Sequence, residues 1–223
     1  METLCVATKG ILFDMDGVLI SSIGSVVRCW QRWAAMYGVP DAAHYEVPHG
    51  VRAIDIVKSL RPDIDPEEGL RVIENMEMED MADLTVLPGV KSLLKGLPPE
   101  RWAIVTSATR RLLLGRLVAA GLPVPERIIS ADMVERGKPD PEPYRRGAEW
   151  LGFRPEECVV VEDSESGAKA GRAAGCTVVA TTFSHSIESL AAAHYLVEDL
   201  AGVEATIFDG DEGLVLRFTP LAA

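Results

Sequence analysis

The sequence predicts an α/β fold in which helices cover both faces of a doubly wound parallel sheet. Short apolar runs rich in β-branched residues alternate with longer helical patterns. Some of these runs, such as residues 158–162, are apolar at nearly every position, which is typical of strands buried on both faces. One long stretch contains only helical patterns. We therefore expect a core domain of residues 1–20 and 88–223 with an inserted α-helical cap of residues 21–87.

The predicted core elements follow one another along the chain. The strands are residues 10–13, 102–106, 127–130, 158–162, 176–181 and 195–197. The core helices are residues 109–120, 141–151 and 164–174. The last segment, residues 205–218, predicts a β-hairpin that turns at residues 210–213.

The cap is predicted from helical periodicity. In residues 23–38, apolar side chains such as Val26 and Trp30 fall on one stripe. Residues 52–60 and 66–83 follow the same pattern, and the second of these begins with a proline, which favours a helix start. We expect Trp30 to be a packing residue.

Composition excludes several function classes. Acidic residues outnumber basic ones by 34 to 22, for a net charge of -12, so the chain should repel nucleic acid and anionic membrane. A bound phosphate would need local cations for the same reason. No apolar run approaches the ~20 residues of a membrane span, and the first ten residues lack the pattern of a secretory signal. The four cysteines form no CxxC pair, which indicates reduced, mostly buried thiols in a cytoplasmic protein.

Two carboxylates follow the first core strand. Asp14 and Asp16 lie two residues apart at its C-terminal end, where open α/β sheets place their ligands. A solvated turn is the alternative, but Gly17 would let the chain turn sharply over a ligand. A second pair, Glu162 and Asp163, leaves another apolar strand and could instead be a charged helix cap. Carboxylates from two neighbouring strand ends can share one Mg²⁺.

Two further elements lie between these pairs. The strand at residues 102–106 leads into Thr106, Ser107 and Ala108, whose hydroxyls and backbone N–H groups could bind an anion or only begin a helix. Lys138 is followed by Pro139, which stiffens its loop, although a solvated lysine is the alternative.

The ordered set of four motifs resembles the haloacid dehalogenase superfamily. Its motifs match Asp14 with Asp16, Thr106 with Ser107, Lys138, and Glu162 with Asp163. The cap position is similar to that of the β-phosphoglucomutase-like branch, and residues 49–52, 105–110 and 137–144 resemble glycerol-phosphate and 2-deoxyglucose-6-phosphate phosphatases. Many relatives carry Asp-Ser after the first motif, where this chain has Ile20-Ser21-Ser22.

This resemblance implies a Rossmann-like core, a small phosphate ester as substrate and Mg²⁺ as cofactor. Asp14 would attack phosphorus and form an aspartyl-phosphate, while Asp16 would serve as acid and then as base. Lys138 would offset the charge of the phosphate. The metal would be held by Asp14, Asp163 and the Asp16 carbonyl, with Glu162 as a further candidate.

Substrate binding is expected from the second motif and from the cap. Thr106 or Ser107, with the N–H of Ala108, would hold phosphoryl oxygens. In the cap, Arg52 could contact phosphate or hydroxyl groups, and His49 is a second candidate.

Three alternative functions are open to the same scaffold. A sugar phosphomutase of the β-phosphoglucomutase type would need a cap histidine early in the insert, and none is found around Val26. Phosphonate hydrolysis would need a cap lysine, for which Lys58 is the only candidate. A non-catalytic regulator would usually have lost the nucleophile or the metal carboxylate, and both are present.

Overall fold

The computed structural model describes residues 2–207 and 213–222. The strands are β1 (Leu4–Thr8), β2 (Gly10–Phe13), β3 (Ile20–Ser21), β4 (Thr85–Val86), β5 (Trp102–Val105), β6 (Ile128–Ile129), β7 (Cys158–Glu162), β8 (Thr177–Thr181), β9 (Tyr195–Val197), β10 (Glu204–Ile207) and β11 (Leu214–Phe218). The helices are α1 (Ile23–Met36), α2 (Ala53–Leu60), α3 (Pro66–Glu79), α4 (Val90–Gly96), α5 (Arg110–Ala120), α6 (Glu142–Leu151) and α7 (Glu165–Ala174).

The main sheet is parallel and has the order β6-β5-β2-β7-β8-β9. Apart from the edge strand β9, its strands are buried on both faces, because successive side chains join different hydrophobic clusters. In β2, Ile11 and Phe13 join one hydrophobic cluster, whereas Leu12 joins the other. Helices α4 and α5 contribute to the first cluster, and α6 and α7 to the second. The predicted α/β fold with a doubly wound parallel sheet is confirmed, and all six predicted strands are present.

The segment between β3 and β4 is helical and has its own apolar core. Trp33 of α1 is completely buried, and its indole N–H donates to the Gly69 carbonyl of α3 at 3.0 Å. A side chain at Gly69 would crowd Val57 of α2, so the glycine permits this close helix packing. The division into a core domain and a cap domain stays a prediction. Strands β3 and β4 pair with each other close to the two predicted boundaries, where the chain enters and leaves the helical segment.

Helix α3 ends at Glu79, four residues before its predicted end. Its start agrees with the pattern, because the Asp65 side chain accepts the Glu67 N–H and Pro66 occupies the first turn. Beyond the helix, Asp80 and Asp83 turn towards Arg28 of α1 and accept from its guanidinium. These ion pairs tie the chain to α1 where the predicted helix would have continued.

A second, antiparallel sheet has the order β1-β11-β10. Strands β10 and β11 pair as the predicted hairpin, but most of its predicted turn at residues 210–213 lies outside the described residues. Neither β1 nor α4 was predicted, since both are short and partly exposed. The four cysteines are free thiols, of which three are buried and Cys5 is exposed. Across the described residues, no helix combines the length and apolarity that a membrane crossing requires.

Replacing Trp33 with Ala should lower the free energy of unfolding by about 3–5 kcal/mol, because it empties the centre of the cap core. The matched control is Trp150→Ala, since Trp150 is 49% exposed and should cost far less. Urea denaturation followed by circular dichroism measures both. Equal losses for the two variants would contradict a separate cap core.

Candidate active site

The candidate site residues of the four motifs lie together at the C-terminal edge of the main sheet. Asp14 directly follows β2, Thr106 follows β5, and Asp163 follows β7. These three strands are neighbours in the order β5-β2-β7, so their C-terminal ends lie side by side. The Lys138 side chain reaches the same edge from the loop before α6.

Lys138 is buried and makes three polar contacts. Its ammonium donates to Asp14 Oδ1 at 2.6 Å, to Glu162 Oε1 at 2.7 Å and to the Val105 carbonyl at 3.1 Å. Burial lowers the pKa of Lys138, but the two carboxylates outweigh this and raise it above its usual value. Burial raises the pKa of Asp14 to about 7, although Lys138 opposes that shift. Lys138 therefore stays charged beside Asp14.

Both carboxylate oxygens of Glu162 already accept several hydrogen bonds. Oε1 accepts from Lys138 and from the Tyr144 hydroxyl at 2.7 Å. Oε2 accepts the N–H groups of Asp163 and Ser164 and the Ser164 hydroxyl, at 2.9–3.0 Å. Burial raises the pKa of Glu162, but Lys138 together with the hydrogen bonds from Tyr144 and Ser164 outweighs this and keeps the pKa below its ordinary value. We propose that Glu162 holds Lys138 and the β7–α7 turn, rather than serving as the predicted metal ligand.

The buried carboxylates form a site that fits a divalent cation. One oxygen each of Asp14, Glu162 and Asp163 lies within 4.8 Å of the others. Three carboxylates against one ammonium leave an excess of negative charge, and burial with the neighbouring Glu162 and Asp14 raises the pKa of Asp163 well above its usual range. An all-oxygen donor set of this kind suits Mg²⁺. The residues therefore fit the implied metal, and Asp14 and Asp163 are its best side-chain candidates.

Gly17 allows the first loop to pass close to Asp163. Its φ of +83° is in the left-handed region, and a side chain there would collide with the Asp163 carboxylate. The Asp163 carboxylate also accepts a hydrogen bond from Ser184, in the loop after β8. The glycine predicted to permit a sharp turn thus also brings the first loop against a candidate metal ligand.

Asp16 faces the cavity and is held from two sides. Its side chain is 34% exposed. Ser22 donates to Oδ1 at 2.8 Å, and Arg116 of α5 donates to Oδ2 at 2.8 Å. Ser22 belongs to the stretch in which this chain departs from many relatives.

The second motif forms a turn between β5 and α5. Thr106 is buried, and its Oγ1 accepts the Ala108 N–H at 3.1 Å. Ser107 instead donates to the Gly50 carbonyl of the cap segment at 2.7 Å. Thr109 accepts the Leu112 N–H and so caps α5. We propose Thr106 as the second-motif hydroxyl, because Ser107 is engaged by the cap segment.

A cavity of about 120 Å³ lies over these groups. Asp14, Asp16, Asp163 and the second motif line its floor, and apolar residues of α1, α2 and α3 line its other side together with Glu74 and Glu77. This mixture suits a phosphate at the floor and a small organic group above it.

Of the two predicted cap contacts, only His49 lines the cavity. It packs edge-to-face on His185, with ring centroids 5.5 Å apart, and burial lowers its pKa. Arg52 is held elsewhere: it donates twice to Asp55 and once to the Val134 carbonyl. An acidic residue three positions along the chain and the Val134 carbonyl thus bind its guanidinium away from the cavity lining, and the expected contact of Arg52 with substrate stays a prediction.

Sequence reasoning missed three residues around the site. Arg116 lies on the buried stripe of α5 with Leu113 and Leu117, and a charge at such a position indicates a buried partner. Tyr144 lies in the first turn of α6, six residues after Lys138, and could be suspected from that proximity. Ser184 lies in a polar loop and carries no comparable signal in the sequence.

A family model described as haloacid dehalogenase-like hydrolase matches residues 8–175. The chain belongs to this family. This hydrolase is 39% identical over 180 residues to hexitol phosphatase A of Escherichia coli, which covers 77% of this chain and 82% of the relative. It is 35% identical over 196 residues to glycerol-1-phosphate phosphohydrolase 1 of Saccharomyces cerevisiae, covering 82% and 78%. It is 30% identical over 234 residues to 2-deoxyglucose-6-phosphate phosphatase 2 of the same yeast, covering 92% and 93%.

Solved structures agree with the fold. A hydrolase from Pseudomonas syringae superimposes with a TM-score of 0.76 at 27% identity, covering 86% of this chain and 94% of that one. The resemblance predicted from the four motifs is therefore confirmed at the level of the family and of its phosphatase relatives.

The contacts of Asp163 and Glu162 predict that removing each carboxylate would change the affinity for Mg²⁺ by a different amount. Asp163→Asn should weaken Mg²⁺ binding by at least about tenfold, because loss of a single ligand or its partner commonly costs that much. Glu162→Gln should weaken it less, since its oxygens accept hydrogen bonds from Lys138 and Ser164. Isothermal titration calorimetry with Mg²⁺ measures both affinities, and thermal unfolding checks that each variant is folded. A larger loss for Glu162→Gln would restore Glu162 as a ligand.

Proposed function

We propose that this hydrolase releases inorganic phosphate from the monoester of a small sugar or polyol, with Mg²⁺ as cofactor and an aspartyl-phosphate formed on Asp14. Its family membership and phosphatase relatives make it a phosphoric monoester hydrolase. The observation that carries the finer proposal is the pairing of a lysine-bound Asp14 with a cavity-facing Asp16 two residues away.

Asp14 supplies the nucleophilic oxygen. Lys138 holds Oδ1 at 2.6 Å, which fixes the carboxylate and favours its ionised form. Attack on phosphorus forms a bond from Asp14 to phosphorus and breaks the bond to the ester oxygen. Lys138 then remains beside the phosphorylated side chain and offsets its charge.

Mg²⁺, held by the Asp14 and Asp163 side chains and the Asp16 carbonyl, would neutralise charge on the phosphoryl oxygens. Thr106 contributes a hydroxyl at the same edge of the sheet. These local positive charges and donors allow an anionic substrate to bind to a protein whose net charge is -12.

Asp16 moves the proton in both steps. Its carboxyl, protonated on Oδ1, where the Ser22 hydroxyl can accept as well as donate, gives this proton to the leaving oxygen when Asp14 attacks. The resulting carboxylate then takes a proton from the water that hydrolyses the aspartyl-phosphate. Asp16 lines the cavity beside Asp14, so one side chain can reach the leaving group and then the incoming water.

The cap side of the cavity favours an uncharged, hydroxyl-bearing leaving group. Ile56, Leu70 and Ile73 offer apolar contact for a carbon chain, whereas Glu74 and Glu77 can accept from hydroxyl groups. A hexitol phosphate, glycerol phosphate and 2-deoxyglucose 6-phosphate appear in the names of the three relatives, and all have leaving groups of this kind.

A phosphomutase is the alternative reading of the same chemistry. It must protect the aspartyl-phosphate from water, and α1 brings Ile23 and Val26 to the cavity where a mutase would need a histidine. Conversion of a sugar 1-phosphate to its 6-phosphate faster than phosphate release would favour the mutase.

The test is phosphate release from a panel of sugar, polyol and nucleotide monophosphates, with Mg²⁺ and with a chelator. Release that depends on Mg²⁺ and is confined to a few sugar or polyol phosphates is expected. Preference for nucleotides, or unchanged release with the chelator, would contradict the proposal.

Asp14→Asn should abolish turnover without loss of folding, because the amide keeps the shape of the carboxylate but is not a nucleophile. Asp16→Asn should lower kcat by about 10²–10⁴-fold, the usual contribution of general acid–base catalysis. The matched control is Asp41→Asn, an exposed position in the left-handed region that asparagine tolerates. Steady-state kinetics and thermal unfolding measure all three, and substantial turnover by Asp14→Asn would exclude the nucleophile assignment.

A further inference from the structure

Arg116 is a buried cation that connects the cap to the reaction centre. Its side chain is 4% exposed and extends from α5 of the core. One arm of the guanidinium donates to Asp16 Oδ2 at 2.8 Å, and another donates to Oε2 of Glu77 on α3 at 3.3 Å. Both Arg116 and Glu77 line the cavity.

Within the described residues, four polar contacts join α3 to the segment around α5: Thr109 with Glu74, Arg111 with Glu74, Arg111 with Asn75, and Arg116 with Glu77. Thr109 and Arg111 both donate to Glu74, near the exposed edge of the contact. Arg111 is 52% exposed, so its ion pair contributes little to stability. Only the pair of Arg116 with Glu77 is buried and also touches Asp16.

We propose that Arg116 is a positioning residue that fixes the carboxyl group of Asp16 for proton transfer to the leaving oxygen while α3 is docked on α5. The proposal rests on the proposed function, in which Asp16 protonates the leaving group. A guanidinium is suited to the role because its planar fork binds two carboxylates in a fixed geometry.

Glu77 makes the position of Arg116 depend on the cap. With α3 in place, Glu77 holds one side of the guanidinium and Asp16 receives the other. Without Glu77, the long Arg116 side chain loses a second anchor and can adopt other rotamers. Asp16 would then keep only its contact with Ser22. Proton donation would thus be efficient when the cap covers the substrate, which is also when water is excluded.

Two substrates of matched size, one whose leaving group needs a proton and one whose leaving group does not, can distinguish a role of Arg116 in positioning the acid from a purely structural role. Ethyl phosphate releases ethanol, which needs a proton as its bond to phosphorus breaks. Acetyl phosphate releases acetate, a weak base that leaves as an anion. The ratio kcat/KM reports the steps up to departure of the leaving group, so it isolates the acid step from later hydrolysis of the aspartyl-phosphate. The preferred polyol phosphate is measured beside them.

Arg116→Met should lower kcat/KM for ethyl phosphate and for the polyol phosphate on the order of 10²-fold, while acetyl phosphate changes little. Arg116→Lys keeps the charge and should recover part of the loss. Glu77→Gln should also lower kcat/KM for ethyl phosphate and the polyol phosphate but not for acetyl phosphate, and the decrease should be smaller than for Arg116→Met. Arg111 lies on α5 like Arg116 and contacts the cap, but it does not contact Asp16. Arg111→Met should therefore leave the ratio of kcat/KM for ethyl phosphate to kcat/KM for acetyl phosphate unchanged.

Other outcomes would overturn the proposal. Equal losses for ethyl and acetyl phosphate would give Arg116 a purely structural role. A loss confined to the polyol phosphate would make it a contact for the leaving group. If Arg116→Met does not fold, Arg116→Lys must still change the ethyl-to-acetyl ratio. Wild-type protein that releases no phosphate from any alkyl ester would contradict the proposed function instead.

Discussion

The buried ion pairs of Lys138 organise the rest of the site. Removing an ammonium from water costs several kcal/mol, and it is tolerated only when nearby carboxylates and hydrogen bonds compensate. Asp14 and Glu162 supply the carboxylates, and the Val105 carbonyl takes the remaining contact. Three neighbouring strands must therefore end at the same level of the sheet. Asp14, the proposed nucleophile, is held in place by the same interaction that stabilises the buried lysine.

The cavity combines two surfaces with different chemistry. Its floor concentrates carboxylates, which in the proposed function would bind phosphate only with the help of Lys138 and a metal ion. Its cap side is largely apolar, with Glu74 and Glu77 as acceptors. Burial raises the pKa of Glu77 to about 7, although Arg116 opposes the shift. The cap therefore contributes to the electrostatics of the site as well as to its shape.

The chain order of strands and motifs predicted the sheet and the floor of the site because both depend on local patterns. Strands such as β7 are recognisable from their continuous apolar residues, and the polar residues that follow parallel strands lie at one edge of the sheet. Contacts of long side chains were harder to predict. Arg52 was expected to reach substrate but pairs with Asp55, and Arg116 was overlooked because its partners are distant in sequence. The cytoplasmic location and the domain boundaries stay predictions.

The proposed reaction depends on a covalent bond between the phosphoryl group and Asp14. Rapid mixing of the protein with a ³²P-labelled substrate, followed by acid quenching, measures protein-bound phosphate before steady state. We expect a burst of label that maps to the peptide containing Asp14, is absent in Asp14→Asn, and accumulates in Asp16→Asn if hydrolysis is slowed more than formation. Phosphate release by the wild type with no labelled protein at any time, together with no label in Asp16→Asn, would contradict this step and indicate direct attack by water.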